Sequence, residues 1–393
     1  MTATLPALIL AALAPAASTQ ASVSAVAAAD AAPVVVAFDV SGTLHVLDAR
    51  SGERVEDVPT DVRIEGASGI DVDPKGERVV ILDLTGRVYL WKPREQAAPV
   101  EVAKIAPSES MGKGYSRFGA SLRFSPSGER IAVGVHGGQV LLLDGNGAPI
   151  GGAPEILAED ERLGGIWFDA PLAWSGDGRR LAALTTDGPV LFDASSAERV
   201  DVTFDTGGIE LRSIALDATG ERLAVGGAAL TFGSFSTSDG SRTWWGPLNC
   251  DGSLIADFGL EERLSVAGLA FSPDGRHLAC STAEHSHAAI VAASTGERVW
   301  LGEFHGGRMG EPRELLWSPS SRRLYHTFAC GGMPLVRTVC DVNEAGGTTY
   351  AELRGERTCL PEPGFEGLGV STDGELVLGI DLDSGEERWR VKL

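Results

Sequence analysis

One short phrase recurs along this chain: a turn ending in Gly, one or two charged residues, then an apolar triplet. Its copies are Asp73-Pro-Lys-Gly-Glu-Arg-Val-Val-Ile81, Ser125-Pro-Ser-Gly-Glu-Arg-Ile-Ala-Val133, Ser175-Gly-Asp-Gly-Arg-Arg-Leu-Ala-Ala183 and Asp217-Ala-Thr-Gly-Glu-Arg-Leu-Ala-Val225. Three more follow at Ser272-Pro-Asp-Gly-Arg-His-Leu-Ala-Cys280, Ser318-Pro-Ser-Ser-Arg-Arg-Leu-Tyr-His326 and Ser371-Thr-Asp-Gly-Glu-Leu-Val-Leu-Gly379. From Gly76 through Gly128, Gly178, Gly220, Gly275, Ser321 (in the glycine slot) to Gly374, the spacings are 52, 50, 42, 55, 46 and 53 residues. A period of that size in an all-β pattern means repetition of one supersecondary unit.

The unit reads most clearly around Ser272. Ser265 to Phe271 is a strand of small apolar residues, suited to a crowded axis. Pro273 presets φ in the turn, and Asp274 and Gly275 tolerate left-handed geometry. Leu278-Ala-Cys280 and Ala288 to Ala293 give two further strands, and Ser294-Thr-Gly-Glu-Arg298 turns into an outer strand, Val299-Trp-Leu301. Four strands joined by short turns make one propeller blade. The outer hairpin recurs at Leu44 to Val55, Val190 to Val200 and Leu378 to Trp389.

Phe271-Ser-Pro-Asp-Gly-Arg-His-Leu-Ala279 resembles the first turn of bacterial WD-repeat propellers. The terminal hairpins, Gly42 to Gly52 and Gly374 to Gly385, resemble quinoprotein-type propeller repeats. The resemblance spans about residues 33–393 and implies an all-β propeller of four-stranded antiparallel blades. The sequence departs from the WD pattern in lacking its Gly-His and Trp-Asp pairs: Trp91 has no following Asp, and Asp48, Asp144 and Asp193 no preceding Trp. Six units are complete, and each terminus offers three strands. Thirty strands lie between seven and eight blades. Terminal strands sharing one blade would hide sheet edges, so the expectation is seven blades, with eight as the alternative.

Residues 1–32 read differently from the single propeller domain expected over 33–393. Through Ala37 there is no Lys or Arg and one acid, Asp30, and Leu5 to Leu13 is apolar but for Pro6. Small-residue patterns follow at Ala14-Pro-Ala16, Ala25-Val-Ala27 and Ala27-Ala-Ala29. This is the composition of a secretory signal without its basic start, and the apolar run is too short to span a bilayer. The expectation is export to the periplasm or beyond, with cleavage between about Ser18 and Ala32; an uncleaved Ala-rich leader on a cytoplasmic protein is the alternative.

Charge narrows the partners. With 54 acidic and 33 basic residues the formal net charge is −21, which repels phosphate backbones and anionic lipid. Nucleic acid and membrane insertion are not expected; a monomer binding a protein or peptide is. The five cysteines, Cys250, Cys280, Cys330, Cys340 and Cys359, contain no CxxC pair, so neither zinc nor a redox motif is indicated. Cys280 suits a buried strand position.

Chemistry-bearing constellations are few. His285-Ser-His287 fits a hairpin tip better than a ligand pair. Asp381-Leu-Asp-Ser-Gly385 opens like a calcium loop, but its closing position is Lys392. Phosphate-binding and nucleophile-elbow motifs are absent from the sequence, and so are the adjacent cysteines that a quinone enzyme would carry. No cofactor, metal or catalytic residue is expected.

The two turn types quoted above belong on one face of a propeller, and the connections of variable length on the other. Binding residues gather on variable loops held by a rigid scaffold. That inter-blade face offers residues of the type that anchor interfaces: Tyr115, Arg117 and Phe118; Trp167 and Phe168; Trp244 and Trp245; Arg308 with Met309; and Phe365. Packing between blades is the competing role for each aromatic. The function expected is a non-catalytic exported scaffold, with a lactonase-like or quinoprotein-like site in the central channel as the alternative.

Overall fold

The computed structural model describes residues 23–29, 32–39, 41–59, 61–83, 85–105, 120–135, 139–150, 155–156, 172–185, 188–248, 265–282, 287–303, 310–330, 333–342, 348–353, 368–372, 376–381, 384 and 387–392. Among them are 29 β-strands and no helix. The strands form eight antiparallel sheets of three or four strands: β1–β3, β4–β7, β8–β11, β12–β14, β15–β18, β19–β22, β23–β26 and β27–β29. We number these blades 1 to 8.

Around the ring, first strands meet first strands. β1 (Val23–Ala28) contacts β4 (Ala67–Val72), which contacts β8 (Ala120–Phe124); β12 (Leu172–Trp174) contacts β15 (Leu211–Leu216), then β19 (Val266–Phe271) and β23 (Gly310–Trp317). β1 also meets β27 (Leu368–Thr372), which brings the two ends of the chain together. The protein is a β-propeller.

Burial explains the sequence pattern across a blade. The second strands are covered on both faces by neighbouring blades. Every residue of β2 (Val34–Asp39) and β5 (Val79–Asp83) is buried, so these strands read as unbroken apolar runs rather than alternating ones. The outer strand β7 (Val100–Lys104) has neighbours on fewer sides and is mostly exposed. The core consists of wedges between adjacent blades: Val36 and Phe38 pack with Val72, Ile81 and Trp91, and Val80 and Leu82 with Leu122, Phe124 and Val133.

Six of the seven phrases join first to second strands. In each, the residue before the phrase pairs with the residue seven places on, as in Val72↔Val79, Phe124↔Ile131, Phe271↔Leu278 and Trp317↔Leu324. The seventh does not. Thr372 pairs with Val377, inside the phrase, and β28 (Leu376–Asp381) then pairs with β29 (Glu387–Lys392) through Ile380↔Glu387, with a register shift beside it. The third-to-fourth hairpins of blades 5 and 6 share this arrangement: Phe235↔Arg242 and Val291↔Arg298, each beside a shift. β27 and β28 therefore correspond to the second and third strands of a blade.

Two expectations change accordingly. Among the described residues the terminal strands form two separate sheets, β1–β3 and β27–β29, rather than one shared blade. The strand that makes the difference, β1, lies inside residues 1–32, which the sequence reading gave to the leader. It pairs with β2 from Ala25↔Phe38 to Ala28↔Val35. An Ala-rich strand fits here because the innermost position is the most crowded in a blade.

Candidate functional site

The turns between first and second strands share a face with those between third and fourth. Arg78, in the first turn of blade 2, donates to its own Asp73 carboxylate at 2.9 Å, to the Gly128 carbonyl in the corresponding turn of blade 3 at 2.8 Å, and to the Gly145 carbonyl in the outer turn of blade 3 at 2.7 Å. Its guanidinium carbon lies 5.5 Å from the centre of the Phe124 ring. The device repeats. Arg130 reaches the Ala194 carbonyl of blade 4, and Arg180 the Thr237 carbonyl of blade 5. Arg222 reaches the Gly275 carbonyl of blade 6 at 2.7 Å and lies 5.3 Å from the Phe271 ring; His277 stacks on Trp317 of blade 7. Charge-assisted bonds to carbonyls combine here with cation–π contact, in positions shielded from water.

These arginines are what sequence reasoning missed. The arginine two residues after the glycine in four of the phrases was visible, but a charged residue after a turn reads as solvated. Ser321 is explained by the same seam. It adopts φ 60° in the glycine slot, and its hydroxyl accepts from the Asp274 backbone N–H of blade 6 at 3.0 Å.

Trp244 and Trp245 were placed by sequence in an inter-blade loop. They lie in β18 (Arg242–Pro247), the fourth strand of blade 5, where alternate residues face opposite ways. Trp244 donates its indole N–H to the Ala293 carbonyl at 2.9 Å, meets Phe232 edge-on and covers Gly296 of blade 6. Trp245 faces the other way, edge-on to Phe235, with the Arg242 guanidinium 5.4 Å from its ring centre. Both are packed between blades. The hairpin turn at residues 236–241 ends before them, which keeps them in the strand. Tyr115, Arg117, Phe118, Trp167, Phe168, Arg308, Met309 and Phe365 lie outside the described residues, as do Cys250 and Cys359. Cys280 is buried.

On the opposite face, blades 1 and 2 have matching turns between second and third strands, each built on a buried aspartate. Asp39 accepts from the Ser41 N–H and hydroxyl and the Thr43 N–H; Asp83 accepts from the Thr85 N–H and hydroxyl and the Arg87 N–H. The second carboxylate oxygen of Asp39 lies 3.3 Å from His45 Nε2, and that of Asp83 takes the Tyr89 hydroxyl. Arg54 donates to His45 Nδ1 at 2.9 Å. His45 Nδ1 is thus an acceptor, Nε2 carries the hydrogen toward Asp39, and the ring is neutral. Burial, with Arg54 nearby, lowers the His45 pKa against the raising effect of Asp39. Burial alone would raise that of Asp39, but its hydrogen bonds bring it below the usual value.

The corresponding turn of blade 5 is strained. Ala229 and Leu230 sit at φ 53° and 54°, which non-glycine residues rarely adopt. Beside it Arg212 bonds Glu210 at 3.1 Å and the Ser265 hydroxyl of blade 6 at 3.0 Å. Among the described residues no group of three or more His, Cys, Asp or Glu could hold a metal ion, and no helix is long and apolar enough to cross a membrane.

No family model and no curated protein matches the chain. Solved structures do. A chain of the mitotic checkpoint complex is 17% identical with a TM-score of 0.53, covering 80% of this chain and 88% of that one. Kluyveromyces lactis Hsv2 is 10% identical with a TM-score of 0.57, covering 85% and 98%. The computationally designed protein Ika8 is 15% identical with a TM-score of 0.58, covering 95% and 97%. At such identities the likeness speaks to the fold. That fold is a β-propeller.

Proposed function

We propose that this protein is a non-catalytic interaction scaffold that binds a protein or peptide on its inter-blade loop face. The observation that carries the reading is the division of labour between the two faces. On one, arginines, turn carbonyls and aromatics are engaged in holding blade to blade. On the other, blade 5 holds Ala229 and Leu230 in a conformation costing on the order of 1–3 kcal/mol each, beside the Glu210–Arg212–Ser265 cluster. Strain of that kind persists where the surroundings impose it, often at binding sites. On the sequence reading, the variable segments with Tyr115, Arg117, Phe118, Trp167, Phe168 and Arg308 belong to the same face. The similarity to a chain of an assembled complex is consistent with a scaffold.

Export belongs to the same reading. The Ala-rich, base-free leader supports secretion, and since β1 begins at Val23, the Ala14-Pro-Ala16 pattern is the cleavage point that would leave the first strand whole.

The test is capture of partners from the periplasmic and secreted fractions of the native host, comparing the wild type with Arg212→Ala and Trp167→Ala. Partners retained by the wild type and lost by these variants, with melting temperatures within about 2 °C of wild type, support the scaffold. Partners bound equally by all three place the site elsewhere.

A further inference from the structure

Blade 1 holds its outer edge with little backbone. In blade 2 the third strand β6 (Arg87–Trp91) pairs with β7 along a ladder from Arg87↔Lys104 to Leu90↔Val100. In blade 1 the third strand β3 (Leu44–Asp48) meets the chain that follows it at two isolated bridges among the described residues, Leu47↔Arg54 and Thr43↔Arg63. There the Val55 N–H donates to the Val46 carbonyl at 3.0 Å, and the Leu44 N–H to the Val62 carbonyl at 2.8 Å. Facing residues of antiparallel strands share a side of the sheet, and on this side a pair of side chains adds the missing tie. Arg54 reaches in from the exposed segment to His45 Nδ1, and Asp39 holds His45 Nε2. Blade 2 has Tyr89 in the place of His45, bonded to Asp83.

Few charges surround the imidazole. Asp39 comes from β2, and Arg54 and Arg63 from the outer segment, with Arg63 donating to the Ser41 carbonyl. Blade 8 packs on this face through Trp389. On β29, Arg388 and Arg390 are exposed, and Arg390 and Lys392 alternate with Trp389 and Val391. β27 has no charged residue, and Asp381 of β28 and Glu387 of β29 lie at the blade end that corresponds to Asp48 rather than His45.

A neutral His45 accepts from Arg54 and donates to Asp39. Once Nδ1 takes a proton, both ring nitrogens are donors and neither can accept. Asp39 then holds an imidazolium, while Arg54 faces a like charge and loses its acceptor. Asp48, Glu53 and Glu56 line the same cavity as Arg54 and offer the displaced guanidinium a place. The turn just ahead of Arg54 carries the Ala49 carbonyl and Gly52, which Trp389 covers from blade 8.

We propose that His45 and Arg54 form an acid-operated latch: proton uptake by His45 releases Arg54 and frees the outer segment of blade 1, residues 49–63, at the seam where the ring closes. The latch lies in blade 1 and is independent of the loop-face scaffold.

The test is hydrogen exchange on the full chain at pH 7.5 and 5.0, read by mass spectrometry and corrected for the intrinsic effect of pH on exchange. Protection of the Asp48, Gly52 and Val55 amides should fall at least tenfold at the lower pH, while that of β7 in blade 2 stays within twofold. His45→Gln, which does not titrate, should keep protection of blade 1 within twofold across the same step. Arg54→Ala should lose protection at both pH values and show a step below twofold; it decides alone should His45→Gln fail to fold. An unchanged wild type, an equal fall in blade 2, or a tenfold step that persists in either variant overturns the latch.

Discussion

Removing the Trp389 side chain should open the ring at its closing seam. Trp389, on β29 of blade 8, is 8% exposed. Its indole N–H donates to the Ala49 carbonyl of blade 1 at 2.6 Å, and its ring covers Gly52 in the outer turn of that blade. Trp244 makes the same contact with Ala293 and Gly296 between blades 5 and 6. Truncating a buried tryptophan costs about 3–5 kcal/mol, and the lost hydrogen bond adds about 1 kcal/mol. At about 2.1 cal/mol/K per residue, unfolding this chain of 393 residues carries about 0.8 kcal/mol/K. Trp389→Ala should then lower the melting temperature by about 5–7 °C in calorimetry. Gly52→Ala attacks the seam from the other side. A Cβ there would come within 2.7 Å of the indole, at φ +73°, for about 2–4 kcal/mol from overpacking and the left-handed conformation together. In the double variant the steric part vanishes, so the two losses must sum to more than the measured total. Additive losses, or a Trp389→Ala shift below about 2 °C, would refute closure through this contact.

Arg78→Ala should cost about 3 kcal/mol, because it leaves the fully buried Asp73 carboxylate without its partner; Arg78→Lys should recover less than half, since an ammonium cannot reach three acceptors in one plane, and urea unfolding measures both. Acid should weaken blade 1 in two windows. The lowered pKa of His45 means the unfolded chain takes up the proton first, so its contribution is complete above the ordinary value of 6.5 and is lost as pH falls below it; the lowered pKa of Asp39 adds a second loss below 3.8. His45→Gln should flatten the upper window of a stability-against-pH curve, and an unchanged slope between pH 6.5 and 5 would contradict the neutral ring. Mass spectrometry of the protein from its native host should find an N-terminus between Ala17 and Val23, since a later cut would remove part of β1.

What the sequence disclosed follows from which constraints are local. A tight hairpin needs its Gly within a few residues, so six turns and the period were readable directly. Blade count was not, because it depends on whether Val23–Ala28 pairs with a strand, and an Ala-rich segment looks alike as strand and as leader. Ser371 to Gly374 misled for a related reason: Ser-Thr-Asp-Gly suits either hairpin of a blade, and only cross-strand register separates them. Among the site calls, Trp244 and Trp245 were drawn to a loop by their neighbours in sequence, whereas Trp244 bonds Ala293 of the next blade and Trp245 meets Phe235 on the adjacent strand of its own. The arginine seam required knowing which turn faces which, a fact that no single blade contains.

The contact between Trp389 and Ala49 spans 340 residues, and this gives it a meaning in time. A chain made at about 5–20 residues per second exposes the outer turn of blade 1 roughly 20–70 s before its cover is synthesised. Throughout that interval the seam that Trp389 will fill offers an uncovered glycine and a free carbonyl to whatever indole or amide arrives first, including those of neighbouring nascent chains. Polysomes crowded with this message are therefore where swapped, interlocked rings should first be sought.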